Sequence, residues 1–124
     1  MANETLESPI NQKHEDEMQV VKRAAEYKIF KKQCKGPGAL ISFYTKGGKD
    51  EAFKVLDSVE VCKLAVSLGG TETLIEHPRR MTHAELTDDM CERVGLTDSM
   101  IRLSVGIEDV DDLIADLNQA LDKI

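Results

Sequence analysis

The chain has 124 residues, of which 41% are hydrophobic and 31% charged, with a formal net charge of −7. That is the length of one domain with one core, and it is too apolar for a disordered chain. No apolar run approaches the ~18 residues of a membrane-spanning helix and the N-terminus has no apolar leader stretch, which argues against membrane and secreted classes.

Cysteine usage points the same way. Cys34, Cys62 and Cys91 are odd in number, far apart and form no CxxC, so the expectation is reduced thiols in a cytoplasmic protein. Charge is unevenly placed. Residues 84–124 hold 11 acidic and 3 basic residues and sum to −8, whereas residues 1–83 sum to +1. An acidic C-terminal third repels phosphate, and a chain with no Trp and 4% aromatics has little with which to stack bases, so nucleic acid is not expected as a partner.

Residues 1–10 read as a lead-in ending at Ser8-Pro9. From His14 to Lys35 the sequence is free of Gly and Pro, with Val20, Ala24, Tyr27, Lys31 and Cys34 at helical spacing, which predicts a helix. Gly36-Pro37-Gly38 ends it. Residues 39–45 are short, apolar and rich in strand formers, and predict a buried strand. Lys49–Ser58 predicts a short amphipathic helix through Ala52, Phe53, Val55 and Leu56. Val61–Ser67 is a second strand, closed by Leu68-Gly69-Gly70. A variable stretch follows, containing His77, His83 and a short helix near Asp88–Val94.

Residues 100–107 alternate. Ile101, Leu103, Val105 and Ile107 point one way, and Arg102, Ser104 and Gly106 the other. The last helix carries an apolar stripe of Val110, Leu113, Ile114, Leu117 and Leu121. Asp109 is placed to cap it, and Asp111 and Asp112 suit its N-terminal dipole. The resulting order of helices and strands predicts an α/β (α+β) domain: a two-layer sandwich of a small mixed or antiparallel sheet with helices packed on it.

Most candidate chemistry has a plainer explanation. His14, His77, His83 and Cys91 lack the spacing of a metal site, so surface or loop histidines are expected and no metal. The pairs Gly47-Gly48 and Gly69-Gly70 belong to no phosphate-binding motif and read as turns. Asp88-Asp89 and Asp111-Asp112 start helices, and Cys91 reads as a small core residue. Arg102 is different. A guanidinium in the middle of an apolar strand must reach solvent, find an internal acid, or grip an external carboxylate with two parallel hydrogen bonds.

From Lys31 to Ile124 the sequence resembles the C-terminal, substrate-carboxylate-binding domain of the pyridoxal-phosphate (PLP)-dependent enzymes of cysteine and methionine metabolism, the trans-sulfuration family. The resemblance is carried by Lys31-Lys32-Gln33 with Gly36, Ser42-Phe43, Gly47-Gly48, Ala65–Ile75, His77-Pro78, Met81–His83, Ile101–Asp109 and Asp112–Leu117. It implies a domain like the C-terminal one of aspartate-aminotransferase-type PLP enzymes. It also implies that Arg102, helped by Ser67, binds the α-carboxylate of an amino acid, with Val66, Leu68 and Thr82 bordering the pocket. Val66, apolar where cystathionine-handling enzymes commonly carry Glu, is similar to the methionine γ-lyase group.

The aldimine lysine of that family lies in a Ser-x-Thr-Lys context, and no such context occurs here. The resemblance therefore implies PLP only in a complete enzyme, no covalently bound cofactor and no catalytic residue on this chain, with residues 1–30 as a divergent, largely helical extension. The expected function is that of a C-terminal part of a carbon–sulfur lyase performing α,γ-elimination on sulfur amino acids, inactive alone. The alternatives are a non-catalytic carboxylate-binding or regulatory module, or an inert relic. The expected partners are an amino-acid substrate, if a PLP-binding domain completes the site, and other subunits of a homo- or hetero-oligomer.

Overall fold

A computed structural model describes residues 27–124. The lead-in and the helix expected from His14 fall outside these residues up to position 26. The chain divides into two units, Met1–Pro37 and Gly38–Ile124. In the first unit the described helix is α1, Tyr27–Gln33, with Lys31 and Lys32 in its last turn. Cationic side chains there suit the negative end of the helix dipole. Cys34 N–H closes the turn on Phe30 O at 2.8 Å, and the chain then leaves through Gly36 and Pro37.

The second unit begins with β1, Leu40–Tyr44. It continues through α2, Lys49–Ser58, whose Glu51 carboxylate reaches back to accept the Gly48 N–H at 2.7 Å and so satisfies an otherwise orphaned donor. Next come β2, Lys63–Leu64, and β3, Leu74–Glu76. The short helix α3, Asp88–Arg93, is capped by the Thr87 hydroxyl, which accepts from Met90 N–H. After it follow β4, Met100–Ser104, and α4, Val110–Leu121. Asp109 caps α4 as expected, accepting from Asp111 N–H and Asp112 N–H.

The sheet order is β1-β4-β3-β2. β4 is antiparallel to both β1 and β3, and β2 runs parallel to β3, so the sheet is mixed. One face presents Phe43, Ile75, Ile101 and Leu103. These join Ala52, Val55 and Leu56 of α2 and Leu113, Leu117, Ala120 and Leu121 of α4 in the buried core. Among the described residues, no helix is long and apolar enough to cross a membrane.

Several expectations change. The second strand shrinks from Val61–Ser67 to two residues, because β3, which the sequence reading left inside the variable stretch, pairs with it only over Lys63↔Leu74 and Leu64↔Ile75. β4 stops at Ser104 rather than Ile107, and Ile107 is 81% exposed rather than core-facing. Beyond Ser104, Gly106 lies so close to Thr71 and Glu72 that a Cβ would meet the Thr71 carbonyl oxygen. In α4, Val110 is exposed, and the buried stripe is completed instead by Ala120 and the carboxylate of Asp116.

Asp116 explains its own burial. It accepts the N–H groups of Glu60, Val61 and Cys62 at 2.7, 2.9 and 2.8 Å, and so fastens the α2–β2 connection to α4. Burial pushes this carboxyl up, but the three N–H donors outweigh burial and leave it below its ordinary value. The neighbouring Cys62 thiol is pushed up to about 12 by burial and then by the Asp116 carboxylate.

Candidate functional site

Arg102 lies at the centre of β4, with Ser42 opposite it on β1 and Glu76 opposite it on β3. Cross-strand partners share a face, so these three side chains project away from the apolar core face. The guanidinium answers the requirement of a mid-strand cation with the second of the three options, an internal acid. Nη1 is 2.8 Å from Glu76 Oε1, and the two side chains are 15% and 1% exposed.

Nη2 donates to two main-chain oxygens, Val66 O at 2.9 Å and Ser67 O at 3.3 Å. Arg102, Val66 and Ser67 are therefore together. The contact with Ser67 runs through its carbonyl, and the fork is not free. Thr82 joins them through Glu76, its hydroxyl standing 3.2 Å from the same Oε1 and 2.8 Å from His83 Nδ1. Leu68 follows Ser67 on the surface, 53% exposed, beside Val66 at 51%.

The segment 66–68 is pinned at both ends. Upstream, Ala65 N–H donates to Ile75 O at 3.2 Å. Downstream, Gly69, at φ +73°, gives its N–H to Ser104 Oγ at 2.8 Å. Farther on, Glu108 accepts both the N–H and the hydroxyl of Thr73 at 2.6 Å, and the Thr73 hydroxyl oxygen accepts Gly106 N–H at 2.9 Å. These bonds from Thr73 hold the Glu108 carboxyl below its ordinary value. Between Ala65 and Gly69, the main-chain oxygens of Val66 and Ser67 rest on Arg102.

Sequence reasoning singled out Arg102 and missed Glu76, Ser104, Thr73 and Glu108. Glu76 carried a signal only in retrospect, as an acid following two apolar residues in a three-residue strand too short to alternate. The remaining candidates fall outside this cluster. His77 is a loop residue but fully buried, its Nε2 donating to Asp98 O at 2.7 Å and its Nδ1 accepting Arg80 N–H. Cys91 is in the core, 1% exposed. His14 lies outside the described residues.

Every described lysine is exposed. The arrangement that is present is a mostly buried guanidinium, paired with Glu76, beneath an exposed segment of small and apolar side chains.

Comparison with known proteins agrees with the motif blocks. Residues 17–122 match the family described as Cys/Met metabolism PLP-dependent enzymes. An L-methionine γ-lyase of Fusobacterium nucleatum is 54% identical over 98 residues, which is 79% of this chain and 25% of that protein. A cystathionine γ-lyase of Dictyostelium discoideum is 47% identical, over 79% of this chain and 25% of its own length. The crystal structure of a cystathionine γ-lyase from Micromonospora echinospora superposes with a TM-score of 0.74 at 42% identity, covering 81% of this chain and 26% of that one. The chain thus spans about a quarter of the length of the relatives it matches. With the family matched over most of its residues, and its fold shared with a solved lyase, the chain belongs to the PLP-dependent enzymes of cysteine and methionine metabolism.

Proposed function

We propose that this chain forms the substrate-carboxylate wall of a carbon–sulfur lyase of the methionine γ-lyase type, and that it has no turnover by itself. A PLP-bearing domain, in the same polypeptide or another, would supply the cofactor and the electron sink for α,γ-elimination. In that assembly Arg102 holds the α-carboxylate of a sulfur amino acid beside Ser67, so that the amino acid is presented in one orientation. Fixing a reactant in this way converts an improbable encounter into a prepared one. Val66, Leu68 and Thr82 border the pocket, and Val66 offers an apolar wall to an uncharged side chain such as that of methionine.

The observation that carries this reading is the convergence of Arg102 with Val66 and Ser67, at 2.9 and 3.3 Å, under an exposed segment pinned on both sides. Titrating the purified chain with L-norleucine, an unreactive methionine isostere, should perturb the amide signals of residues 66–69, and Arg102→Ala should abolish the response. Mixed with PLP and L-methionine, the chain should release no more thiol than free PLP does.

A second reading is favoured by the Arg102–Glu76 pair. A guanidinium already neutralised by a buried acid fits a structural arginine in a non-catalytic or regulatory derivative of the family. That reading predicts no response to L-norleucine in the wild-type chain.

A further inference from the structure

We infer that Glu76 is a positioning residue that decides which anions Arg102 accepts; this rests on Arg102 being the carboxylate-binding group. Glu76 is fixed in place by the sheet, since it stands directly across from Arg102 in the β3–β4 register and is 1% exposed. Oε1 takes both the Arg102 ion pair and the Thr82 hydroxyl. Oε2 is buried and has no hydrogen-bond partner among the described residues. Leaving half of a buried carboxylate unanswered is unfavourable, and a neutral side chain of the same shape would avoid that penalty. What a neutral side chain would not do is set the charge and the plane of the guanidinium.

The geometric effect follows from how a guanidinium presents its donors. Two parallel N–H bonds are available only along the Nε/Nη2 edge or the Nη1/Nη2 edge, so every two-pronged grip on a carboxylate uses Nη2. Glu76 holds Nη1, and Nη2 rests on the Val66 and Ser67 carbonyls. A carboxylate therefore enters by taking the place of those carbonyls on Nη2, while Nη1 stays anchored on Glu76. The anchor keeps the fork in the same plane, whether it faces main chain or ligand.

The electrostatic effect concerns selectivity. The Arg102–Glu76 pair is neutral as a unit, so no net positive charge draws anions in. An arriving anion feels the guanidinium at contact distance and the Glu76 carboxylate behind it. A doubly charged anion feels attraction and repulsion alike twice, but its desolvation cost rises as the square of its charge, and the attraction left once the buried Glu76 carboxylate is counted against the guanidinium does not repay it. A singly charged, planar carboxylate that matches the fork is retained, and sulfate or a phosphate ester is turned away. This is specificity by a built-in repulsive element.

The test uses the full chain and two probes, L-norleucine and sodium sulfate, each followed by amide chemical-shift titration. The wild type should bind norleucine and show at least about tenfold weaker affinity for sulfate. Glu76→Gln keeps the shape and removes the charge. It should bind sulfate at least about tenfold more tightly than the wild type and lose discrimination between the probes. A merely structural role for Glu76 would weaken both ligands.

Glu76→Asp keeps the charge and withdraws it by one methylene. It should continue to exclude sulfate while losing norleucine affinity. Unchanged or weaker sulfate binding by a natively folded Glu76→Gln overturns the inference. If that variant does not fold, norleucine binding by Glu76→Asp at the wild-type level overturns it instead. Loss of norleucine binding in Arg102→Ala with no effect in the Glu76 variants removes the Glu76 inference alone. Wild-type norleucine binding by Arg102→Ala, or none by the wild type itself, removes the carboxylate reading and the inference with it.

Discussion

The two faces of β4 are made from alternate residues of one five-residue strand, yet they follow different rules. Ile101 and Leu103 are buried at 0% and 5% exposure in the core, where any apolar group of the right volume contributes in proportion to the area it removes from water. Arg102 and Ser104, on the other face, each meet named partners: Glu76 and two carbonyls for Arg102, and Gly69 N–H for Ser104. On the first face a loss is graded and depends on volume. On the second it depends on whether the group left behind still has a partner. The first face belongs to the buried core, and the second holds the 66–69 segment through named hydrogen bonds.

The contrast is broken most directly by large changes on either side of the strand. Leu103→Ala should destabilise the chain by about 3 kcal/mol through lost burial and the cavity left behind, read by urea denaturation. It should leave the norleucine response intact wherever the chain is folded. Arg102→Met should cost about 2–3 kcal/mol, because it strands the Glu76 carboxylate in a buried setting with no cation. Adding Glu76→Gln to Arg102→Met should recover most of that loss. If the double variant is instead no better than the sum of the singles, the polar face behaves additively like the apolar one, and the distinction fails. Gly106→Ala should cost about 2 kcal/mol by driving a methyl into the Thr71 carbonyl, and should broaden the amide signals of residues 69–73 first.

The same contrast separates what could be read from the sequence from what could not. The apolar face was legible, because periodicity is a local property. The bounds expected for the helix at Lys49–Ser58 were met, and the last helix was found with its Asp109 cap. Arg102 stood out because it broke the pattern of its neighbours. The partners of the polar face were not legible, because each is made by register between distant segments. Glu76 meets Arg102 only because β3 pairs with β4, and β3 is three buried residues whose Leu-Ile-Glu sequence neither alternates nor forms a long apolar run. The buried carboxylate of Asp116 sat within a helix stripe read as wholly apolar, since its three N–H partners lie more than 50 residues away. Blocks shared with relatives bridged part of this gap: they grouped Arg102 with Ser67 where spacing alone could not.

Acid sharpens the comparison without any substitution on the apolar face. The Asp116 carboxyl is buried, which raises it, but the N–H donors of residues 60–62 outweigh burial and lower it relative to the unfolded chain. Its contribution to stability is therefore present at pH values above the unfolded value of about 4 and is lost as pH falls through the lower folded value. Glu108, lowered first by the Thr73 hydroxyl, acts in the same direction. Urea denaturation across pH should show wild type and Asp116→Asn widely separated at neutral pH and converging in acid. Leu103→Ala should stay parallel to the wild type throughout, because no titrating group is involved.

The smallest effect is a rate. Cys62 follows the same anchor, its N–H 2.8 Å from Asp116 and its thiol pushed up to about 12 by burial and by that carboxylate. Thiolate, not thiol, is the nucleophile, so folded Cys62 should be nearly inert to a disulfide reagent at pH 8, whereas exposed Cys34 should react within minutes. Slow labelling of Cys62 then measures how often the 60–62 connection opens. Asp116→Asn should speed it by loosening the anchor, and Leu103→Ala should speed it only in proportion to global unfolding. If both variants accelerate Cys62 equally for equal loss of stability, the anchor has no local opening of its own. The polar attachments would then melt only with the core, and the two sides of the sheet would be one cooperative unit rather than two.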